Sequence, residues 1–320
     1  MAIICTGSIA YDYLMSFPGY FKDHIIPEKL DSISLSFLVD SMVRQRGGTA
    51  PNIAYNLALL GEKPKLMGTV GEDFDDYKTW LEQHGVDTSL VERIDGVFTA
   101  SFFANTDLSN NQIASFYSGA MAFSKDLSIR DLEKKEIDLV VISPNDPTAM
   151  CKYAMECREL EIPYLYDPGQ QVVRNKPEEI REGITSAQSL FINDYEYELI
   201  QKHTGMLDKE IRYAVEYVVI TCGEHGSDVW VKDKHYHIPV VRPGCIADPT
   251  GVGDAFRGGF LRGVRLGLDW QTCGQMGALA ATYCLENRGT QNHSYTLPEF
   301  ISRYRKLFDD QGALDALLKK

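Results

Sequence analysis

The sequence predicts an α/β fold built on a mostly parallel β-sheet with helices on both faces. Three observations lead there. Short, continuous apolar runs recur along the chain, longer amphipathic segments separate them, and polar residues close consecutive runs. Ile3-Ile4-Cys5-Thr6 is the first run and leads into Gly7-Ser8. Residues 65–70 form the second, and Leu139-Val140-Val141-Ile142-Ser143 gives the strongest strand signal, apolar throughout as a strand covered on both faces should be. Residues 164–167, 190–193 and 217–221 continue the series, with helix-like stretches at 50–60, 77–84, 148–160 and 196–203. Asp167, Asn193 and Thr221 stand at the carboxyl ends of their runs. Sheets of this class bind ligands there.

Two stretches break the alternation. Residues 12–46 contain the period-2 pattern Ser32-Ile33-Ser34-Leu35-Ser36-Phe37, and residues 97–117 carry Phe98-Thr99-Ala100-Ser101-Phe102-Phe103 and Ile113-Ala114-Ser115-Phe116. Both read as antiparallel strands of a small accessory sheet, the second pair joined near 107–111. Such a sheet beside the ligand edge serves as a lid that excludes water, or is an ordinary edge hairpin. The organisation expected is one α/β domain over residues 1–320, its lid formed by segments at about 12–46 and 97–121. The tail from 298 to 320 reads as a closing pair of amphipathic helices.

Composition narrows the function classes. With 320 residues, 44% hydrophobic and 24% charged, the chain can bury a large core. Thirty-two basic against 45 acidic residues give a net charge of −13, which argues against a nucleic-acid or anionic-membrane surface. The seven cysteines are scattered without a C-x-x-C pair, so a reduced cytoplasmic setting is expected rather than a disulfide framework or zinc site. The N-terminus shows no basic region followed by a long apolar stretch, and no run approaches 18 apolar residues, so neither export nor a membrane span is predicted. No G-x-x-x-x-G-K-[ST], no G-x-G-x-x-G after the first strand and no G-x-S-x-G are present.

The most informative segment is Asp248-Pro249-Thr250-Gly251-Val252-Gly253-Asp254-Ala255-Phe256-Arg257. A Gly-rich turn running into a helix aims backbone N–H groups and the positive dipole end at one point, which favours an anion. Asp254 in the first turn then stands beside that anion as a base, the combination that phosphoryl transfer to a hydroxyl requires. The same letters also suit a helix start with an acidic first turn. Arg257, one turn on, could neutralise charge on the transferring phosphate or lie on the surface.

Other segments carry paired readings of the same kind. Gly47-Gly48 opens a helix in which Asn52 can both donate to and accept from hydroxyls, or is a plain capped helix. Asp12, after the Gly7-Ser8 turn, could accept two hydrogen bonds from a vicinal diol or be a solvated loop aspartate. Asn193 and Glu196 could hold Mg²⁺ through water, or form a helix cap. Thr221-Cys222-Gly223-Glu224-His225-Gly226 could bind a nucleotide or be a hairpin turn.

In this order the motifs resemble the ribokinase (PfkB-type) carbohydrate and nucleoside kinase family. The matching elements are Gly47-Gly48…Asn52…Gly61, Gly71-Glu72-Asp73-Phe74, Gly85-Val86-Asp87-Thr88, Asn193-x-x-Glu196, Thr221-x-Gly223-x-x-Gly226 and Asp248-x-Thr250-Gly251-x-Gly253-Asp254. The resemblance implies a three-layer α/β/α ribokinase-like body with a β-sheet lid, and ATP-dependent phosphorylation of a primary hydroxyl. It implies Asp254 as base, the backbone of Gly251, Val252 and Gly253 as anion hole, and Asp12, Gly47, Gly48 and Asn52 around the substrate hydroxyls. Asn193 and Glu196 are implied for Mg²⁺ and phosphate, and Thr221, Gly223 and Gly226 for the nucleotide. Val252 stands where the family more often has Ala, a change that a backbone anion hole tolerates.

Within that family, Ser34-Leu35-Ser36-Phe37-Leu38-Val39, Asn111-Gln112 with residues 116–121, and Glu286-Asn287-Arg288-Gly289-Thr290-Gln291 look most like the adenosine kinase-like bacterial and archaeal nucleoside kinases. This adds Phe102, Gln112 and Phe116 on the substrate side and Asn287 on the nucleotide side. Phe37, Phe102 and Phe116 could stack on a base or form the core of the lid. The expected partners are a small-molecule substrate and ATP, with no nucleic acid or membrane, in a monomer or homodimer. A monovalent cation is required by some relatives. The competing readings are a sugar kinase acting on a free pentose or ketohexose, and a non-catalytic ligand-binding protein on the same fold.

Overall fold

A computed structural model of the chain describes residues 1–25 and 34–319. In chain order the elements are β1 (Ala2–Thr6), β2 (Ala10–Ser16), β3 (Ser41–Gly47), α1 (Thr49–Leu59), β4 (Lys65–Val70), α2 (Asp75–Gln83), β5 (Asp87–Arg93), β6 (Ala100–Thr106) and β7 (Gln112–Tyr117). There follow β8 (Ile137–Ile142), α3 (Pro147–Glu159), β9 (Tyr164–Tyr166), α4 (Pro177–Thr185), β10 (Ser189–Asn193), α5 (Asp194–Thr204), α6 (Asp208–Ala214) and β11 (Tyr217–Thr221). The chain closes with β12 (Ser227–Val231), β13 (Lys234–Ile238), α7 (Val252–Arg265), α8 (Trp270–Leu285) and α9 (Leu297–Arg305).

The apolar runs assemble as their pattern predicts. A nine-stranded sheet has the order β13-β12-β11-β10-β9-β8-β1-β4-β5, parallel except for β12 and β13 at one edge. One hydrophobic cluster packs α1, α2, α7, α8 and α9 on one face, and a second packs α3, α4, α5 and α6 on the other. This three-layer arrangement follows from strands that are apolar on both sides and need cover on both. Strand order reverses about β1, which lies between β8 and β4, so the connections that leave the carboxyl ends of β1 and β8 run in opposite directions, the place where such sheets leave a crevice. Among the described residues no helix is long and apolar enough to cross a membrane.

A second sheet of four strands has the order β3-β2-β6-β7. Its hairpin β6–β7 turns at 107–111 as expected, with Asp107 accepting backbone N–H bonds from Ser109 and Asn111. Three expectations are corrected here. Ser34-Leu35-Ser36-Phe37 forms no strand (Ser32 and Ile33 lie outside the described residues), and the partner of β2 is the more polar Ser41–Gly47. Asp12 lies inside β2, not in a solvated loop following the Gly7-Ser8 turn. The sheet is also not wholly antiparallel: β2 and β6 run parallel, because the chain returns to the large sheet between them. In the tail, only α9 is an α-helix, and residues Ala313–Leu318 form a 3-10 helix.

The seating of α7 sets the later chemistry. A Cβ on Gly258 would lie 2.5 Å from the Asn56 Cβ, and one on Gly259 would lie 2.6 Å from the Met276 carbonyl oxygen. These two glycines let α7 press against α1 and α8 at once. Below them Phe260 is fully buried among Phe191, Tyr217, Phe256 and Trp270. Phe260→Ala should therefore cost about 3–5 kcal/mol in urea denaturation. A loss under about 1 kcal/mol would mean that this face is not close-packed.

Candidate active site

A pocket of about 1430 Å³ opens along the carboxyl edge of the large sheet. Ser8 after β1, Pro144 after β8, Asp167 after β9, Asn193 ending β10 and Thr221 ending β11 all line it. The start of α7 closes its floor with Gly251, Val252, Gly253, Asp254 and Arg257. Gly251 caps the helix in the left-handed region at φ 76°, and no side chain caps the first-turn N–H groups. A helix start without its own acceptors, facing a cavity, is suited to an anion.

Asp254 is held from α1. Asn52 Nδ2 donates to Asp254 Oδ2 at 2.8 Å. Burial raises the carboxyl to about 7, opposed by the Arg257 charge and the Asn52 hydrogen bond and reinforced by Asp167 and Asp12. A carboxylate with that affinity for a proton is matched to general-base work near neutral pH. Asp12 comes from β2, with its Oδ2 only 2.5 Å from where a Gly47 Cβ would sit, so any side chain at 47 would displace it. Burial, with Asp248 adding to it, raises Asp12 to about 6. Gly48, at φ 95°, brings the start of α1 against the Ser8 carbonyl.

Arg257 is neither a surface residue nor a free cation. Its Nη2 donates to Asp167 Oδ1 at 3.0 Å, and its Nε lies 2.7 Å from Asp167 Oδ2, with both residues buried. Burial works against its charge, but the carboxylates of Asp167, Asp254 and Glu196 outweigh it and keep the guanidinium protonated. Arg257 therefore sits beneath Gly253 as a fixed positive charge next to Asp254.

The other anticipated residues divide. Asn193 and Glu196 line the pocket and also form a capping box: Glu196 N–H donates to Asn193 Oδ1 at 2.7 Å, and Asn193 N–H to Glu196 Oε2 at 3.1 Å. Glu196 Oε1 is left for a ligand. Thr221, Gly223 and Gly226 line the pocket, and their segment is at the same time the turn between β11 and β12. Asn287 does not reach the pocket; its Nδ2 donates to the Tyr283 carbonyl just past α8.

On the small sheet, Asp12, Phe102 and Phe116 stand side by side in register, so all three project from one face. Phe116 lines the pocket, whereas Gln112 on the same face is exposed at the far end and bonds Thr106. Phe37 packs with Phe17 and Phe21 at 5.1 and 4.9 Å, which makes it part of the sheet's own aromatic cluster.

Three contributors escaped sequence reasoning as site residues. Asp167 was visible only as a polar strand end. Gln291 donates Nε2–H to Asn52 Oδ1 at 2.9 Å and to the Tyr77 hydroxyl; it closes the 286–291 stretch, but nothing in that stretch assigns it a role of its own. Val241, Ile246, Ala278, Ala281, Thr282 and Leu285 also line the pocket, a mostly apolar slot that includes small residues of α8. Among the described residues no group of three or more His, Cys, Asp or Glu side chains is arranged to hold a metal ion by itself.

Comparison with known proteins places this geometry. The pattern of the pfkB family carbohydrate kinase matches residues 19–297. The chain is 30% identical over 309 residues to the nucleoside kinase of Methanocaldococcus jannaschii, covering 95% of this chain and 97% of that one. The nucleoside kinase of Burkholderia thailandensis in complex with inosine is similar at a TM-score of 0.86 and 37% identity, over 96% of this chain and 98% of that one. Its ADP-inosine complex gives a TM-score of 0.83 at 37% identity, over 96% of each chain.

The raised affinity of Asp254 for its proton has a consequence for stability. Its folded value of about 7 lies above the ordinary range, so the folded state binds the proton more tightly than the unfolded chain between about pH 4 and 7. Its contribution to stability therefore falls as pH rises through that window. Asp254→Asn does not ionise, so its Tm relative to the native protein should rise between pH 5 and pH 8. A Tm difference that stays constant with pH would contradict the assigned environment.

Proposed function

The chain belongs to the pfkB family of carbohydrate kinases, and from that premise we propose that it transfers the γ-phosphoryl group of ATP to the 5′-hydroxyl of a nucleoside. The observation that carries the reading is the carboxylate of Asp254 beside an uncapped helix start, on the floor of a pocket that reaches both the apolar slot and the small sheet. Nothing in that floor forms a covalent intermediate. Direct transfer between two bound substrates fits it best.

The adenine ring of ATP fits the slot between the turn at 223–226 and the small residues of α8. Its phosphates then run past Asn193 and Thr221 toward the N–H groups of Gly251, Val252 and Gly253. The acceptor sits on the other side, with its ribose hydroxyls on the carboxylate of Asp12. Asp254 removes the 5′-hydroxyl proton as that oxygen attacks the γ-phosphorus in line. The bond from phosphorus to the bridging oxygen breaks, ADP leaves, and the nucleoside 5′-monophosphate is formed. Arg257 and the helix start hold the charge that develops on the transferring group.

ATP arrives with Mg²⁺, and Glu196 Oε1 is the pocket carboxylate oxygen suited to hold the ion through water. The ion would neutralise phosphate oxygens. The small sheet acts as the lid. Its hinge-like return to the large sheet lets Phe102 and Phe116 come down over the acceptor and exclude water. Those two rings also favour a nucleoside over a free sugar, because a planar base offers them a stacking surface. Seven unpaired cysteines agree with a cytoplasmic setting. Every residue named comes from one chain, so a monomer and a homodimer carry the same site.

An ADP-release assay with inosine, adenosine, ribose and fructose tests the reading. Nucleosides should exceed free sugars in kcat/KM by about a hundredfold or more, equivalent to roughly 3 kcal/mol of base recognition. Asp254→Asn should lower kcat by about 10²–10⁴ while both substrates still bind. Turnover confined to free sugars would replace the nucleoside by a sugar, and near-native turnover in Asp254→Asn would remove the base.

A further inference from the structure

The hydrogen bonds beneath Asp254 run in one direction. Asn52 Nδ2 donates to Asp254 Oδ2 at 2.8 Å, and Asn52 Oδ1 accepts from Gln291 Nε2 at 2.9 Å. Turning over the Asn52 carboxamide would break both bonds, and turning over Gln291 would break the second, because oxygen would then face oxygen or N–H would face N–H. The direction is imposed by an ionised Asp254, which only accepts. It is maintained from the other end by Gln291, which is 1% exposed. Its Nε2 also donates to the hydroxyl of Tyr77, whose own proton goes to the Gly47 carbonyl at 2.9 Å. The buried Oε1 of Gln291 finds no donor among the described residues, so its orientation is dictated wholly from the Nε2 side.

The segment bearing Gln291 touches several parts of the site. Thr290 Oγ1 donates to the Arg46 carbonyl on β3 at 2.9 Å, and Gly289 N–H donates to Asp248 Oδ2 in the anion loop at 3.0 Å. The Thr290 side chain closes against Gly251, where an added Cβ would meet it at 2.8 Å. Residues 289–291 thereby tie the small sheet, the loop before α7 and helix α1 together at the base.

We infer that Gln291 is a positioning residue for phosphoryl transfer, which fixes the Asn52 carboxamide with its N–H on Asp254 and so keeps the base ionised and aimed at the acceptor hydroxyl. The inference rests on the reading of Asp254 as the base. One consequence is that Asn52 Oδ1 is committed to Gln291, leaving a single Nδ2 proton for the acceptor, so hydrogen bonds from the ribose hydroxyls go to Asp12. The titratable and charged groups facing Asp254 are Arg257 from its own helix, Asp167 beyond β9, Asp12 from β2 and Cys284 from α8. Among the described residues, none of these is hydrogen-bonded to Gln291. A change at 291 therefore reaches the base through Asn52.

The test is the pH dependence of kcat/KM with a nucleoside from pH 5 to 9, with KM for ATP and Tm measured alongside. Gln291→Met keeps the volume and removes the donor, whereas Gln291→Glu replaces the donor by an acceptor. The acid limb should move upward by about one pH unit in the Met variant and further in the Glu variant, with kcat reduced about 10–100-fold and KM for ATP within about twofold. In an Asn52→Ala background, Gln291→Met should add nothing further. An unmoved limb in both variants, losses confined to KM for ATP, or failure of both to fold would overturn the inference and leave Gln291 a structural residue. A native limb that survives in Asp254→Asn would instead reject the base itself.

Discussion

The arrangement depends on keeping one carboxylate out of water without neutralising it. Burying an ionised aspartate is unfavourable by several kcal/mol unless charge and hydrogen bonds replace the lost water. Here three replacements come from two helices, α7 and α1. The start of α7 supplies its dipole end, Arg257 supplies a fixed positive charge held in place by Asp167, and Asn52 supplies a directed N–H. They fall short of full compensation, which leaves Asp254 near 7 where its charge is useful. A more generous site would stabilise the anion and weaken the base.

The fold can be read as the means of delivering those three groups. Parallel strands place Asp167, Asn193 and Thr221 along one edge, and the reversal of strand order about β1 opens the crevice above them. Gly258 allows α7 to lie close on α1, and that closeness brings Asp254 within hydrogen-bond reach of Asn52. The small sheet contributes Asp12, and its register sets Phe102 and Phe116 beside that carboxylate. Pocket and lid are thus fixed to the same helix start.

Much of this was legible in the amino-acid sequence, and the exceptions have physical reasons. The six apolar runs became strands because burial on both faces leaves a continuous apolar signal. The strand at 41–47 was missed since an edge strand in a small, half-exposed sheet can carry Arg44, Gln45 and Arg46, whereas the serine-alternating stretch before it offered a cleaner period. The glycines and Asp254 announced an anion site, because backbone approach restricts residue type. Arg257 was ambiguous, since nothing in its local sequence reveals a partner 90 residues away in Asp167. Gln291 closes the 286–291 stretch but showed no role there for the same reason: its contacts are with Asn52 and Tyr77, more than 200 residues distant. Asn193 and Glu196 form a helix cap that also lines the pocket, so their letters alone could not separate the two readings.

The central claim is that a single carboxyl group, at position 254, takes up its proton near neutrality because of where it is held. Carbon-13 NMR of side-chain carboxyl groups, recorded across pH 3 to 9 in the substrate-free protein, observes that event without reference to turnover. One resonance should titrate near pH 7 and vanish from the spectrum of Asp254→Asn, with Asp12 titrating near 6. If the Asp254 resonance instead titrates below pH 5, the carboxylate is not desolvated as described and the account of the base fails.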